Sequence, residues 1–238
     1  MARVRNMVDE LQEDYPGEMF PGQLNIPHFT HPTLARICLN NNLLDIMEKL
    51  LGPNLVLLSA NIFAKYPTKS AGEKYVGAHQ DLKYWGITPF IEATAWLAID
   101  QAGPHNGSMM FLPGSHMNGL VEHQKGVREN NVLKDNQDIQ LTSEQKSALV
   151  QSDLLPGQAS IHHGLTVHLS PPNTSTTRRA GLQIQFVTPE VELGELLYDN
   201  VYKPDFRQPV LVRGEDRMGR LRYTATMEQL LQGTAHPS

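Results

Sequence analysis

The sequence predicts a mainly β fold of jelly-roll type with packing helices at its N-terminal end. Short strand-like runs dominate from residue 54 to residue 189, whereas apolar residues between positions 31 and 51 recur at helical spacing. Many short strands after a helical segment are typical of a closed or two-sheet β-barrel. A chain of 238 residues with 40% hydrophobic content can bury a full core, so we predict a single domain.

Three regions are predicted within this domain: a helical cap at 1–53, a jelly-roll core at 54–189 and a C-terminal tail at 190–238. The cap is expected to contain a short helix at 4–12, then loop and turn around its Pro and Gly residues at 16–27. Within the core, residues 117–152 are polar and lack sustained alternation, which predicts a lid-like insertion. The tail is charged and irregular, with one short helix predicted at 227–232.

The strand predictions follow from buried apolar runs bounded by Gly, Pro and Asn. They cover the segment around His79 and the stretches 55–65, 92–99, 108–112, 158–163, 166–169 and 179–187.

Charge and cysteine content restrict the classes of partner. The net charge is −5, and no basic patch indicates nucleic-acid binding. No signal-peptide core or bilayer-length apolar run is present, so we predict a cytoplasmic protein without a membrane partner, as a monomer or homodimer. The single cysteine, Cys38, fits a reducing compartment and lies in an apolar pattern that predicts a buried core residue.

The chain is organised around His79 and Asp81. Residues two apart on an extended strand project from the same face, so these two side chains are expected to lie together. An imidazole and a carboxylate supply two of the three ligands of a 2-His-1-carboxylate iron site. By itself, the tripeptide is a weak signal that many proteins carry by chance.

A second cluster follows downstream, with His168 and Ser170 on one strand and Arg179 at the start of the next. If these two strands pair, Arg179 enters the same interior as His168. A guanidinium can bind a carboxylate through two parallel hydrogen bonds, so Arg179 suits the distal carboxylate of 2-oxoglutarate. His162 and His163 compete with His168 as the third ligand, but they point to opposite faces, and neither has a hydroxyl two residues later and an arginine eleven residues later. His163 is interpreted as a surface residue, with pocket lining as the alternative.

Together these motifs resemble the phytanoyl-CoA dioxygenase (PhyH) family of Fe(II)/2-oxoglutarate oxygenases. The resemblance runs from residue 52 to residue 187 and rests on ordered motifs: HQDLKYW at 79–85, AWLA at 95–98, NG at 106–107, PGSH at 113–116, and His168, Ser170, Asn173, Ser175 and Arg179.

The resemblance implies a double-stranded β-helix, cupin-like core and the cofactors Fe(II), 2-oxoglutarate and O₂. It also implies that the iron ligands are His79, Asp81 and His168. The residues that it places in contact with 2-oxoglutarate are Arg179, Ser170, Asn61 and Trp96. Halogenases of this class have a small residue in place of the aspartate, so the aspartate favours hydroxylation.

The expected function is oxidation of an unactivated C–H bond in a small molecule, such as a natural-product intermediate, with release of succinate and CO₂. Lys83, Tyr84 and Trp85 are predicted to face the substrate, with core packing as the alternative for the two aromatic residues. Four other outcomes stay open: oxidative cyclisation or desaturation, acyl-CoA hydroxylation, a cupin-type metal-dependent isomerase or hydrolase, and a catalytically silent binding module.

Overall fold

A computed structural model describes residues 1–13, 27–71, 73–126, 129–133, 136–196 and 205–236. The loop and turn predicted at 16–27 therefore lie outside the described residues, except for residue 27, which belongs to a turn.

Helices lie mainly before the first long strand, as the helical periodicity predicts. Asn40 caps one of them, because its side chain accepts a hydrogen bond from the backbone N–H of Asn42 at 3.0 Å. That helix ends at Leu51, before Gly52 with φ +98°. The helices are α1 (Ala2–Glu13), α2 (Pro32–Cys38), α3 (Asn41–Leu51), α4 (Thr68–Ala71), α5 (Ser143–Ser147) and α6 (Met227–Gln232).

The strands of the core form two facing sheets. The larger sheet has the order β13-β1-β11-β4-β9 and the smaller the order β2-β10-β5-β8. The strands are β1 (Leu55–Lys65), β2 (Val76–His79), β3 (Ile87–Thr88), β4 (Glu92–Ala98), β5 (Met110–Phe111), β6 (Gln124–Lys125), β7 (Gln137–Asp138), β8 (Val150–Gln151), β9 (Ala159–His162), β10 (His168–Ser170), β11 (Arg179–Val187), β12 (Glu192–Leu193) and β13 (Val210–Arg213).

The larger sheet has two chemically different faces, because polar and apolar residues alternate along its central strands. Its outer face belongs to the main core, where α3 packs on β1 and β4. Residues on this face include Leu58, Ala60 and Ile62 of β1 and Leu182 and Ile184 of β11, all buried. The inner face is polar and is buried against the smaller sheet, so the barrel interior offers hydrogen-bonding groups shielded from solvent.

The strands that carry His168 and Arg179 do not pair, although pairing was the condition stated for their shared interior, and one predicted strand has different bounds. β10 pairs with β2 and β5, whereas β11 pairs with β1 and β4, so His168 and Arg179 lie in facing sheets and not on paired strands. β10 also begins at His168, whereas the sequence pattern placed the strand at 166–169. Arg179 still reaches the shared interior, because the two sheets face each other across it.

Regular structure also occurs where the sequence shows no sustained pattern. β13, in the tail predicted to be irregular, extends the larger sheet beside β1. The polar stretch 117–152 contains the β6–β7 hairpin, α5 and β8, and β8 joins the smaller sheet. Short strands of two residues carry too little alternation to be recognised from sequence. Among the described helices, none combines the length and the apolar character needed to cross a bilayer.

Candidate metal centre and oxoacid site

The predicted pair of His79 and Asp81 straddles the end of a strand. β2 ends at His79, Gln80 is extended (φ −123°, ψ 126°), and Asp81 opens a 3₁₀ turn that extends to Lys83. The extended Gln80 preserves the two-residue alternation, so both side chains project from one face although only His79 belongs to the strand. The local prediction of a shared face is correct, while the strand itself is shorter.

His168 joins this pair because β10 lies beside β2, with His168 directly opposite His79. One ligand atom from each of His79, Asp81 and His168 lies within 4.8 Å of the others. Oδ1 of Asp81 lies 3.4 Å from Nε2 of His79 and 3.8 Å from Nε2 of His168. Two imidazole nitrogens and a carboxylate oxygen thus converge in the buried interior.

Backbone carbonyls orient both imidazoles. Nδ1 of His79 lies 2.9 Å from the carbonyl oxygen of Gly77, and Nδ1 of His168 lies 2.9 Å from that of Thr166. A carbonyl can only accept, so each Nδ1 carries the proton and each Nε2 presents a lone pair to the cluster. This arrangement, in which the outer nitrogen is hydrogen-bonded and the inner one is free, is typical of metal-binding histidines. The donor set therefore fits Fe(II).

Burial and charge favour the ligand forms of these groups. Burial lowers the pKa of His168 to about 3, so its ring is neutral at physiological pH. Burial by itself would raise the pKa of Asp81, but the neighbouring His168, His162 and His79 together hold it below its usual value. A neutral imidazole and an ionised carboxylate are the forms that bind a cation.

Gln80 fixes the loops around this cluster. Its Nε2 donates to the carbonyl oxygens of Gly119 (2.8 Å) and Leu165 (2.7 Å), and its Oε1 accepts from the backbone N–H of Val121 (2.8 Å). The residue between the two candidate ligands thereby ties the start of the 117–152 stretch to the cluster.

A second part of the interior is strongly cationic. Lys65 and Arg179 are directly opposite each other on β1 and β11, and both are buried. Nη2 of Arg179 donates to the carbonyl of Gly107, while its Nε has no hydrogen-bond partner among the described residues. Within the described part of the chain, neither cation forms an ion pair with a carboxylate. Burial lowers the pKa of Arg179 to about 10, which leaves it charged at neutral pH.

Ser170 belongs to the same cluster through Lys65. Nζ of Lys65 donates to Oγ of Ser170 (2.6 Å), to the carbonyl oxygen of Ser170 (3.0 Å) and to that of Pro171 (2.6 Å). This contact joins the end of β1 in the larger sheet to β10 in the smaller sheet. Burial, and then the charge of Arg179, lower the pKa of Lys65. A buried anion beside these two cations would offset that cost.

Asn61 and Trp96 lie on the inner face, on either side of β11. Gln183 of β11 pairs with Asn61 on β1 and with Trp96 on β4. The guanidinium carbon of Arg179 lies 5.1 Å from the centroid of the Trp96 ring, a cation–π contact. A Cβ on Gly181 would overlap the Trp96 indole, so glycine is needed where the ring crosses β11. Trp96 therefore forms a wall beside the cations.

The three predicted substrate-facing residues occupy different environments. Lys83 is half-buried, whereas Tyr84 and Trp85 are buried in the main core. Trp85 packs edge-on against Phe206, with ring centroids 6.5 Å apart, and Tyr84 lies 6.2 Å from the His79 ring. Trp85 thus contacts the tail, while Tyr84 lies beside the candidate ligands.

The two adjacent histidines point in opposite directions, as the alternation predicts. His162 is buried beside the cluster, with its Nε2 3.6 Å from Oδ2 of Asp81. His163 is directed outward, and its Nε2 bonds to the carbonyl oxygen of Phe90 at 3.0 Å. His162 entered the sequence predictions only as a rival of His168 for the third ligand, and Gln183 and Lys65 carried no predicted role. Polar residues at alternating positions of otherwise apolar predicted strands were the signal that could have found them.

The buried carboxyl of Glu92 predicts a pH-dependent stability. Glu92 accepts hydrogen bonds from Oγ1 of Thr94 (2.6 Å) and the backbone N–H of Gly164 (2.7 Å), and burial raises its pKa from 4.5 to about 8. The folded state thus binds this proton more tightly, so the stabilisation is complete below pH 4.5 and disappears as the pH rises to 8.

In metal-free protein, we expect deprotonation of Glu92 to lower the unfolding free energy by about 1.4 kcal/mol per pH unit between pH 4.5 and pH 8. Urea unfolding from pH 5.5 to 8 should show a flatter profile for Glu92→Gln than for the wild type. Parallel profiles would contradict the prediction.

The two sheets and their connections form a double-stranded β-helix, and solved structures of similar architecture support this assignment. The chain aligns with the non-heme monooxygenase ThoJ at TM-score 0.68 and 26% identity, over 97% of this chain and 80% of that one. It also aligns with CytC3, solved with Fe(II) and alpha-ketoglutarate, at TM-score 0.63 and 22% identity, over 93% and 82% of the two chains. The predicted fold class is confirmed.

The family follows from the sequence comparison. The phytanoyl-CoA dioxygenase (PhyH) model matches residues 5–181, which is most of the chain, so the chain belongs to this family and the predicted resemblance is confirmed. Human peroxisomal phytanoyl-CoA dioxygenase is 28% identical over 156 residues, which cover 65% of this chain and 46% of that protein.

A probable alpha-ketoglutarate-dependent hypophosphite dioxygenase from Stutzerimonas stutzeri is also 28% identical, over 163 residues that cover 67% of this chain and 54% of that protein. The chain thus spans about half the length of these curated relatives.

Proposed function

We propose that the protein is an Fe(II)/2-oxoglutarate-dependent dioxygenase that hydroxylates an unactivated C–H bond of a small molecule. The main support for this proposal is that one buried interior contains both a His-Asp-His cluster and two cations, Lys65 and Arg179. Neither cation has a carboxylate partner among the described residues. A metal and a dicarboxylate together would satisfy both features. Family membership and the names of the relatives support the same activity.

In this proposal His79, Asp81 and His168 hold the iron, and Arg179 and Ser170 bind the distal carboxylate of 2-oxoglutarate. Trp96 and Asn61 line the space between them. The iron, when bound with its oxoacid cosubstrate and O₂, supplies the oxidising chemistry, with succinate and CO₂ as coproducts. The protein orients the three ligands, neutralises the distal carboxylate and excludes water through the buried interior.

The substrate is proposed to be a small natural-product intermediate that enters beside the iron, with Lys83 and Tyr84 at its margin. Asp81 occupies a coordination position, which favours hydroxylation. The stretch 117–152 is proposed to act as a lid, since Gln80 anchors its first residues next to the ligands.

Lys65 adds a prediction to this proposal. An ammonium has three N–H donors and no acceptor, so Oγ of Ser170 accepts a hydrogen bond from Lys65. The hydroxyl proton of Ser170 is then free to be donated to a ligand oxygen. Lys65→Met should therefore weaken 2-oxoglutarate binding about tenfold, the cost of about 1.4 kcal/mol of charge-assisted bonding. Isothermal titration calorimetry on anaerobic Fe(II) protein measures this.

A short 2-oxoacid without a distal carboxylate, such as pyruvate, serves as the matched ligand. Its affinity should be the same in Lys65→Met and the wild type. An equal loss for both ligands would show that Lys65 acts only on the fold.

The function itself is tested by anaerobic titration of Fe(II)-loaded protein with 2-oxoglutarate. A chelated oxoacid gives a weak visible metal-to-ligand charge-transfer band, which should grow and saturate. If iron binds and no band forms, a cupin-type enzyme or a silent binding module replaces the oxygenase.

A further inference from the structure

The carboxylate of Asp81 has two oxygens in different surroundings. Oδ1 faces Nε2 of His79 and Nε2 of His168, at 3.4 and 3.8 Å. Oδ2 points toward the larger sheet, where Nε2 of Gln183 lies 3.3 Å away and Nε2 of His162 lies 3.6 Å away. The two histidines on the Oδ1 side come from β2 and β10, whereas the two groups on the Oδ2 side come from β9 and β11.

His162 has no hydrogen-bond partner among the described residues. Both of its ring nitrogens are buried and lack a hydrogen bond, although unsatisfied buried polar groups are costly. Its ring is held in place by packing, with centroids 4.9 Å from that of His168 and 5.0 Å from that of Phe111. Oδ2 of Asp81 lies 3.6 Å from its Nε2, so a proton on this nitrogen would be directed at the carboxylate.

Gln183 is placed by the sheet. It pairs with Asn61 on one side and Trp96 on the other, so its side chain points into the interior and its amide donates to Oδ2. A backbone in the middle of a five-stranded sheet fixes this donor well.

We propose that His162 and Gln183 are positioning residues that hold Oδ2 of Asp81, so that Oδ1 alone is presented to the metal. This inference rests on the proposed metal role of Asp81. A carboxylate bound through one oxygen leaves one more metal position for exchangeable ligands than a carboxylate bound through both. Groups that hydrogen-bond to metal ligands typically change metal affinity by about 10- to 100-fold when removed.

The test uses Mn(II), which resists air oxidation and reports its surroundings by electron paramagnetic resonance. In the 238-residue chain, His162→Phe and Gln183→Leu should each weaken Mn(II) binding by about tenfold or more. They should also alter the spectrum of the bound ion, because a released carboxylate can bind through both oxygens. His162→Gln, which can place an amide N–H near the same point, should restore part of the affinity.

His163→Phe is the matched control, because His163 is the next residue but points away from the interior. It should leave the Mn(II) affinity and spectrum at wild-type values. The double variant His162→Phe/Gln183→Leu should cost less than the product of the two single effects, since both side chains act on one oxygen.

Failure of the metal site and failure of the positioning role give different results. If wild-type protein binds neither Mn(II) nor Fe(II), the metal assignment itself fails. If wild-type protein binds Mn(II) and the His162 and Gln183 variants match it in affinity and spectrum, the positioning role is wrong. Thermal unfolding identifies a misfolded variant, and if His162→Phe is one, Gln183→Leu and His162→Gln carry the same test.

Discussion

His168→Ala is expected to lower Fe(II) affinity by more than about 100-fold. Removing a group that only orients a ligand costs about 10- to 100-fold, and this substitution removes a ligand itself. It also deletes the ligand atom that β10 contributes beside His79 at the end of β2 and Asp81 in the turn that follows. Anaerobic Fe(II) titration, followed by the charge-transfer band with 2-oxoglutarate, measures the loss.

His116→Ala is the matched control, since His116 is exposed and lies outside the cluster. It should retain wild-type affinity and the full band. An unchanged band in His168→Ala would show that another group, with His162 the nearest imidazole, supplies the third ligand.

Arg179→Leu is expected to weaken 2-oxoglutarate binding by about 100-fold or more while Fe(II) binding stays within about twofold. Loss of a bidentate charge-assisted contact costs about 3 kcal/mol, which corresponds to a factor of more than 100 in affinity. The metal ligands come from the smaller sheet and its following turn, so they keep their geometry when this side chain of the larger sheet is shortened.

Arg178→Leu is the matched control, because it removes an arginine that lies outside the interior. Arg178 precedes Arg179 but pairs with Asp100 at 2.7 Å and Asp9 at 2.6 Å, outside the interior. It should lower the thermal stability, because these pairs help to hold α1 on the sheet, and leave 2-oxoglutarate affinity unchanged. A loss of 2-oxoglutarate affinity in both arginine variants would remove Arg179 from its proposed role. No loss in Arg179→Leu would favour chemistry that needs no distal-carboxylate anchor.

Among the described residues, the interior buries two cations without a carboxylate partner and a histidine without a hydrogen bond. Lys65, Arg179 and His162 lie on the inner face, where the outer apolar face of the same strands supplies the stabilising packing. Such groups are costly in the ligand-free fold, so their retention is expected where bound ligands satisfy them. The polar inner face is therefore expected to serve ligand binding, while the apolar outer face stabilises the sheet.

The sequence by itself determined the family, the two long central strands and the residues of the candidate cluster. The bounds 55–65 and 179–187 agree with β1 and β11, because eleven and nine residues of nearly continuous burial give a strong local pattern. His79, Asp81, His168 and Arg179 could be singled out because their side-chain chemistry and order along the chain carry the signal.

Tertiary structure decided which strands are neighbours, and therefore which side chains meet. Lys65 contacts Ser170 across 105 residues of sequence, and His162 of the larger sheet lies beside Asp81 in the turn that follows β2. Periodicity within a strand reports which face a residue occupies, but it carries no information about the strand that lies opposite. Pairing and sheet stacking depend on non-local packing, so the second cation and the groups behind Asp81 became visible only in the folded chain.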